Sequence, residues 1–182
     1  MPTANAITQT VSMKTIMLLR HAESSHAGPG VKDFDRSLAE KGQQDAPRLG
    51  TFIRQANTMP GYIESSPAKR ARQTTELLID TAGIDSAKVH WNKDLYYGGA
   101  RDYLSVIQHA PEEIDHILLI GHNPLLEETV SIFCNGEGRY TARMPTGALV
   151  CIEHPAIKWE QVKAGTARFQ WMMIPKILNN LS

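Results

Sequence analysis

Ile16-Met17-Leu18-Leu19-Arg20-His21 is an unbroken apolar run that ends abruptly in an arginine and a histidine. A short apolar run without alternation is the pattern of a strand covered on both faces. The pattern returns at Ile117-Leu118-Leu119-Ile120, again followed closely by a histidine in Gly121-His122-Asn123-Pro124. Two such strands need helices on both sides of their sheet, and the sequence around them supplies helical periodicity. Ala46, Leu49, Gly50, Ile53 and Ala56 recur at helical spacing. Ser37-Leu38-Ala39-Glu40 reads as a capping box ahead of them, with Pro47 expected to end a first turn or kink the helix. Gly61–Ser65 reads as a short strand, and Ser66-Pro67 as the N-cap and first position of a helix reaching about Thr81. A helix is expected near Tyr103–His109 and another from Asn123-Pro124, with Leu125, Leu126, Thr129, Val130 and Phe133 on one face. Ala148–Glu153 and Ala167–Ile174 read as two strands joined by a turn. The alternation predicts an α/β fold, with a mostly parallel sheet and an antiparallel segment near the end.

The 182 residues suit one domain, which can bury roughly 70% of the surface its unfolded chain exposes. Residues 1–12 carry no charged side chain and no apolar core of signal-peptide length, and are read as a disordered N-terminal tail. The domain is expected over residues 13–178, with a frayed end beyond it. Nineteen basic residues balance nineteen acidic ones, so no excess charge draws the chain to nucleic acid or to an anionic membrane. No apolar run approaches the roughly 20 residues of a membrane span. Cys134 and Cys151 fit neither a disulfide framework nor a four-ligand zinc site. The expectation is a cytoplasmic monomer without metal or cofactor.

In open α/β sheets ligands bind beyond the carboxyl ends of the strands. His21 and His122, each following a buried strand, should therefore share one edge. The helix after Ser66-Pro67 carries Lys69, Arg70 and Arg72 against the positive end of its macrodipole, an unfavourable placement that a bound anion would relieve. Lys69 and Arg72 are expected to fan into solvent and Arg70 to face the site. Arg20 closes a buried strand, where an unpaired charge is costly. Forked guanidinium groups suit phosphate oxygens. Spacing and composition thus assemble a phosphate-binding set from Arg20, His21, Arg70 and His122.

These residues resemble the histidine phosphatase superfamily, whose fold is also called phosphoglycerate-mutase-like. Its Arg-His-Gly signature is similar to Arg20-His21-Ala22, and its Ser-x-x-x-Arg-Ala-x-x-Thr segment to Ser66–Thr74. Its second histidine corresponds to His122. The compact length, with Asp33–Leu38 and Pro145-Thr146-Gly147-Ala148, resembles the small SixA-like phosphohistidine phosphatase branch. The resemblance implies a three-layer α/β/α sandwich and a metal-independent phosphatase. In it His21 attacks phosphorus, and Arg20, Arg70 and protonated His122 hold the oxygens; Ser24 and Asn123 complete the set as substrate-binding candidates. Substrates would be a phosphorylated protein or a small phosphate. The family's carboxylic acid is not matched: Tyr97 stands at one of its positions and Asn123 at the other, with Asp33, Asp35 and Asp94 as substitutes. A site lacking a strong acid favours phosphoramidates, because imidazole leaves far more easily than an alkoxide. Competing readings are a phosphomonoesterase of the same fold, a non-catalytic phosphate-binding module, and a metallohydrolase built on His21, Glu23, His26 and His122. The last has no standard ligand spacing, and the nearby arginines would repel a cation.

Overall fold

A computed structural model of the chain describes residues 13–136 and 142–178. The tail expected over residues 1–12 and the frayed end at 179–182 lie outside the described residues. The first buried strand forms β1 (Lys14–Arg20), and its apolar residues are inaccessible to solvent. In chain order there follow α1 (Glu40–Gln55), β2 (Tyr62–Ser65), α2 (Lys69–Ala82), β3 (Val89–Trp91), α3 (Asp94–Tyr97) and α4 (Ala100–Gln108). Then come β4 (His116–Gly121), α5 (Leu125–Asn135), β5 (Leu149–His154), β6 (Arg168–Met173) and α6 (Pro175–Leu178). The strands form one sheet in the order β3-β2-β4-β1-β5-β6. The first four of that order run parallel, and β5 and β6 are each antiparallel to their neighbour.

Because successive strand side chains point to opposite faces, the unbroken apolar run of β1 feeds two cores at once. Ile16 and Leu18, with Ile117 and Leu119 of β4, pack against Tyr103 and Ile107 of α4 and Leu126, Val130 and Phe133 of α5. Met17 and Leu19, with Leu118 and Ile120, pack against Leu49 and Ile53 of α1 and Leu78 and Ile79 of α2. Each such side chain contributes about 1.5–3 kcal/mol when withdrawn from water. The result is the three-layer α/β/α sandwich expected of the sequence. Among the described residues no helix is long and apolar enough to cross a membrane.

Several local expectations fail for identifiable reasons. Ser37 does not cap α1. The Ser37 carbonyl accepts from the Ser25 amide at 2.9 Å, and Leu38 bridges Ser24, so this segment stays extended and the helix starts at Glu40 with Ala39 before it. Pro47 does not end α1, which runs on to Gln55. Its lost amide bond is outweighed by the buried face that α1 lays on α2. Ser66 lies three residues ahead of α2, whose N-cap is Ala68. β5 and β6 are joined by residues 155–167, which contain a 3-10 turn at Trp159–Gln161, rather than by a simple turn.

Candidate active site

The carboxyl ends of β2, β4 and β1 lie side by side, and each delivers part of one cluster. Arg20 of β1 pairs with Gly121 of β4, so the residues that follow, His21 and His122, sit abreast. Their ring centroids are 5.0 Å apart at 52°. On the other side of β4, β2 leads through Ser66 into α2, whose second residue is Arg70. The four residues singled out by spacing are therefore brought together by strand order alone.

The hydrogen bonds of His21 fix its tautomer. Nδ1 lies 2.7 Å from the Ala22 carbonyl, and Nε2 faces Nε of Arg70 at 3.1 Å. A carbonyl accepts and a guanidinium donates, so the proton is on Nδ1 and the lone pair on Nε2. Burial lowers the His21 pKa to about 4 against the raising effect of the Ala22 carbonyl, and Arg70, Arg20 and Arg36 lower it further. The ring is neutral at physiological pH.

His122 shares a hydrogen bond of 2.8 Å between Nε2 and Ser66 Oγ. Burial, then His21 and Arg70, lower its pKa to about 3, with Asp33 opposing. Those shifts leave His122 neutral at physiological pH, and a dianion bound between the guanidinium groups would draw onto it the proton that the resemblance implies. Arg20 donates from Nη1 to the Met144 carbonyl at 2.8 Å. Its Nε and the Nδ1 of His122 are buried and have no hydrogen-bond partner among the described residues. Buried polar atoms left in that way cost about 1–3 kcal/mol each, a cost that a bound group hydrogen-bonding to them would relieve.

Arg70 is held from behind by Asp33, in the 3-10 turn Asp33–Asp35. Nη1 donates to the Asp33 carbonyl at 2.6 Å and Nη2 to Oδ2 at 2.9 Å. The same Oδ2 accepts from the Tyr96 hydroxyl at 2.8 Å, and Oδ1 accepts from Arg36 at 2.9 Å. Partial burial pushes the Asp33 pKa up, but Tyr96, Arg36 and Arg70 outweigh it and hold the value at about 2. Asp33 is therefore ionised at neutral pH and carries no proton to give. Asp35 and Asp94 are exposed, and the structure gives neither side chain a contact with the cluster.

The remaining candidates sit elsewhere. Ser24 Oγ accepts from Arg36 Nη1 at 3.1 Å. Asn123 donates from Nδ2 to Glu127 Oε1 at 2.7 Å and to the Met144 carbonyl at 2.9 Å, bracing the segment that Arg20 also holds. Lys69 is exposed, as expected, whereas Arg72 does not fan into solvent: it is half-buried, lying over the Trp91 ring at 4.1 Å with Glu76 at 3.9 Å. His26 is exposed on the loop after His21. Among the described residues no group of three or more His, Cys, Asp or Glu side chains lies close enough together to hold a metal ion. Sequence reading missed Tyr96 as a neighbour of His122, with rings 5.1 Å apart, and Asp33 as the partner of Arg70. It gave Ser66 a capping role. Only Asp33 left a signal, in the Asp33–Leu38 motif.

Comparison with known proteins follows the same lines. The family model of the histidine phosphatase superfamily (branch 1) matches residues 16–124. A crystal structure described as the putative phosphohistidine phosphatase SixA from Agrobacterium tumefaciens matches with a TM-score of 0.73 at 30% identity, over 89% of this chain and 98% of that one. The structure of protein histidine phosphatase SixA complexed with tungstate shares the fold, with a TM-score of 0.76 at 22% identity, over 92% of this chain and 99% of that one. An uncharacterized protein of Mycobacterium tuberculosis is 26% identical over 165 residues, which span 87% of this chain and all of the relative.

Proposed function

The chain belongs to the histidine phosphatase superfamily (branch 1), and from that membership we propose that it hydrolyses phosphohistidine through a covalent phosphoryl intermediate on His21. The SixA likeness at 30% identity supports the choice of substrate. The observation that carries the reading is the lone pair of His21 Nε2, kept unprotonated by burial and faced by Arg70 at 3.1 Å. An incoming phosphoryl group takes over that Arg70 donor.

The Nε2 lone pair forms a bond to phosphorus as the bond from phosphorus to the substrate ring breaks. The substrate reacts with its ring protonated on the nitrogen that carries no phosphoryl group, so the imidazole keeps the bonding pair and leaves neutral with that proton. One P–N bond is exchanged for another, so no alkoxide needs protonation, and the ionised state of Asp33 is no handicap. Water then attacks the phosphoryl group on His21. The bonding pair returns to Nε2, and a proton from the water ends on the released phosphate. Arg20 and Arg70 neutralise the equatorial oxygens, and His122 lies on the same side for a third contact. Positioning and charge stabilisation of this kind carry most of the barrier reduction in phosphoryl transfer.

The test is a substrate panel of phosphohistidine, phospholysine, a phosphosugar and an aryl phosphate. His21→Ala is expected to abolish turnover, and Arg70→Ala to lower kcat/KM by at least about 100-fold, the scale of losing a transition-state donor. Acid-labile phosphate should be trapped on wild-type His21. Near-normal rates in either variant, or a preference for the phosphosugar, would show the assignment to be wrong.

A further inference from the structure

Three aromatic rings from two separate segments meet beside the candidate site. Tyr96 and Tyr97 come from α3, and Phe34 from the turn that carries Asp33. Phe34 meets Tyr96 edge-on at 5.0 Å, and Tyr96 meets Tyr97 edge-on at 4.7 Å. Phe34 and Tyr97 lie nearly parallel, their centroids 6.2 Å apart. Tyr96 also sets its edge against His122 at 5.1 Å, so an unbroken aromatic surface leads from the site outward. It ends at Tyr97, which is 69% exposed.

A single exposed aromatic needs no explanation. This one terminates a chain of rings that begins at a proposed catalytic histidine, and the hydroxyl of Tyr96 is already committed to Asp33. The surface therefore presents mainly ring carbon, with the Tyr97 hydroxyl at its outer end. A polyhydroxylated sugar would find few partners here, whereas a planar ring would find stacking area. A cationic ring would also gain from the electron-rich face of Tyr97, the outer ring, since Arg70 already lies over Tyr96 at 5.8 Å.

We infer that Phe34, Tyr96 and Tyr97 form the leaving-group subsite, a rim that selects phosphorylated substrates whose phosphoryl group is attached to a planar ring. The inference rests on the phosphatase reading above and names the surface that would give that reading its preference for a ring. The phosphoryl group enters between the arginines while the ring lies against the rim.

The test separates ring recognition from chemistry by pairing two P–N substrates, phosphohistidine, which has a ring, and phosphoramidate, which has none. Tyr97→Ala is expected to lower the phosphohistidine-to-phosphoramidate ratio of kcat/KM by about 5-fold, chiefly through KM for the ringed substrate, the size of one aromatic contact. Tyr97→Phe, which keeps the ring and loses only the hydroxyl, is expected to retain the wild-type ratio. A third arm, an aryl phosphate, identifies the source of the recognition. A loss confined to phosphohistidine assigns it to the charge of an imidazolium ring, and an equal loss on the aryl ester assigns it to stacking area; both support the subsite. An unchanged ratio in Tyr97→Ala, with wild type turning over both P–N substrates, overturns the rim and leaves the phosphatase reading standing. Wild type that turns over neither overturns both.

Discussion

At Nε2 of His21 two requirements compete: the atom must lie beside guanidinium groups that bind phosphate, and it must stay unprotonated to attack. Burial and the neighbouring positive charges serve both, placing the pKa at about 4 for His21 and about 3 for His122. The acid limb of kcat/KM, which reports the free enzyme, should therefore fall near pH 4 rather than near the ordinary imidazole value of about 6.5. Rates at pH 5.5 and 7.5 that differ as an ordinary histidine would dictate would count against this placement. The same shifts bear on stability. Both rings take up protons more readily in the unfolded chain, so the unfolded state binds more protons between about pH 6.5 and the folded values, and stability falls as pH drops through that window. The double variant His21→Asn, His122→Asn should lose less stability than wild type between pH 7 and pH 5, read from urea midpoints; an equal or larger loss would contradict it. The two histidines and Arg20 were legible because each follows a run of recognisable strand residues at a fixed offset, and Arg70 because its charge opposes its helix end. The pairings of Asp33 with Arg70, Tyr96 with Asp33 and Ser66 with His122 were not, since they span 37, 63 and 56 residues; the Asp33–Leu38 motif marked Asp33 itself but not its partner.

The glycine before His122 shows how one element constrains another. A Cβ built on Gly121 would lie 1.8 Å from the Tyr103 hydroxyl oxygen, and that hydroxyl is tied to the Leu95 carbonyl at 3.0 Å. The small residue at the end of β4 is thus demanded by α4 rather than by backbone conformation. Gly121→Ala should cost about 1–3 kcal/mol by overpacking and displace the strand end that carries His122. Adding Tyr103→Phe should restore part of the loss, because the nearest obstacle then becomes a ring carbon at 2.9 Å. Chemical denaturation of both single variants and the double variant decides it: simply additive losses would mean that the hydroxyl is not what the alanine strikes. A similar constraint acts at Gly42 in the first turn of α1, where a Cβ would lie 2.1 Å from the Glu23 carbonyl, in the loop that follows His21. At this scale β1 and β4 could be read because their apolar runs have no other use, and β2 because a short strand-prone stretch runs up to Ser66-Pro67. β3 and α3 have three and four residues, too few for any period to register. The start of α1 was misread because Ser37 satisfies a strand-like partner, the Ser25 amide, instead of its own helix.

Across the whole molecule the sheet separates chemistry from anchorage. Layer architecture followed from the sequence, since strands without a polar face require cover on both sides, but strand order rests on pairings between distant segments and is visible only in the fold. Arg20 and His21 stand at one end of β1, and Lys14 stands at the other, about 20 Å away for a strand of this length. There Lys14, almost wholly buried, donates from Nζ to the Glu112 and Ile114 carbonyls and to Asp115, with Trp159 at 4.9 Å beneath the ammonium. Trp159 is fully buried, and its Nε1 donates to the Pro111 and Ile114 carbonyls at 3.1 and 2.8 Å. Its removal should cost about 3–5 kcal/mol, the range for deleting a large core aromatic. Because the site's hydrogen bonds lie at the opposite strand ends, Trp159→Ala should leave kcat/KM per folded molecule and the acid limb of His21 unchanged at temperatures where the protein remains folded. Trp159→Phe, which keeps a ring and gives up only the indole donor, should lose less and provides the comparison if the alanine variant does not fold. Active-site titration beside thermal melts checks both, and a change in kcat per active site or a shift of the acid limb in either variant would show that the two ends of the sheet are coupled.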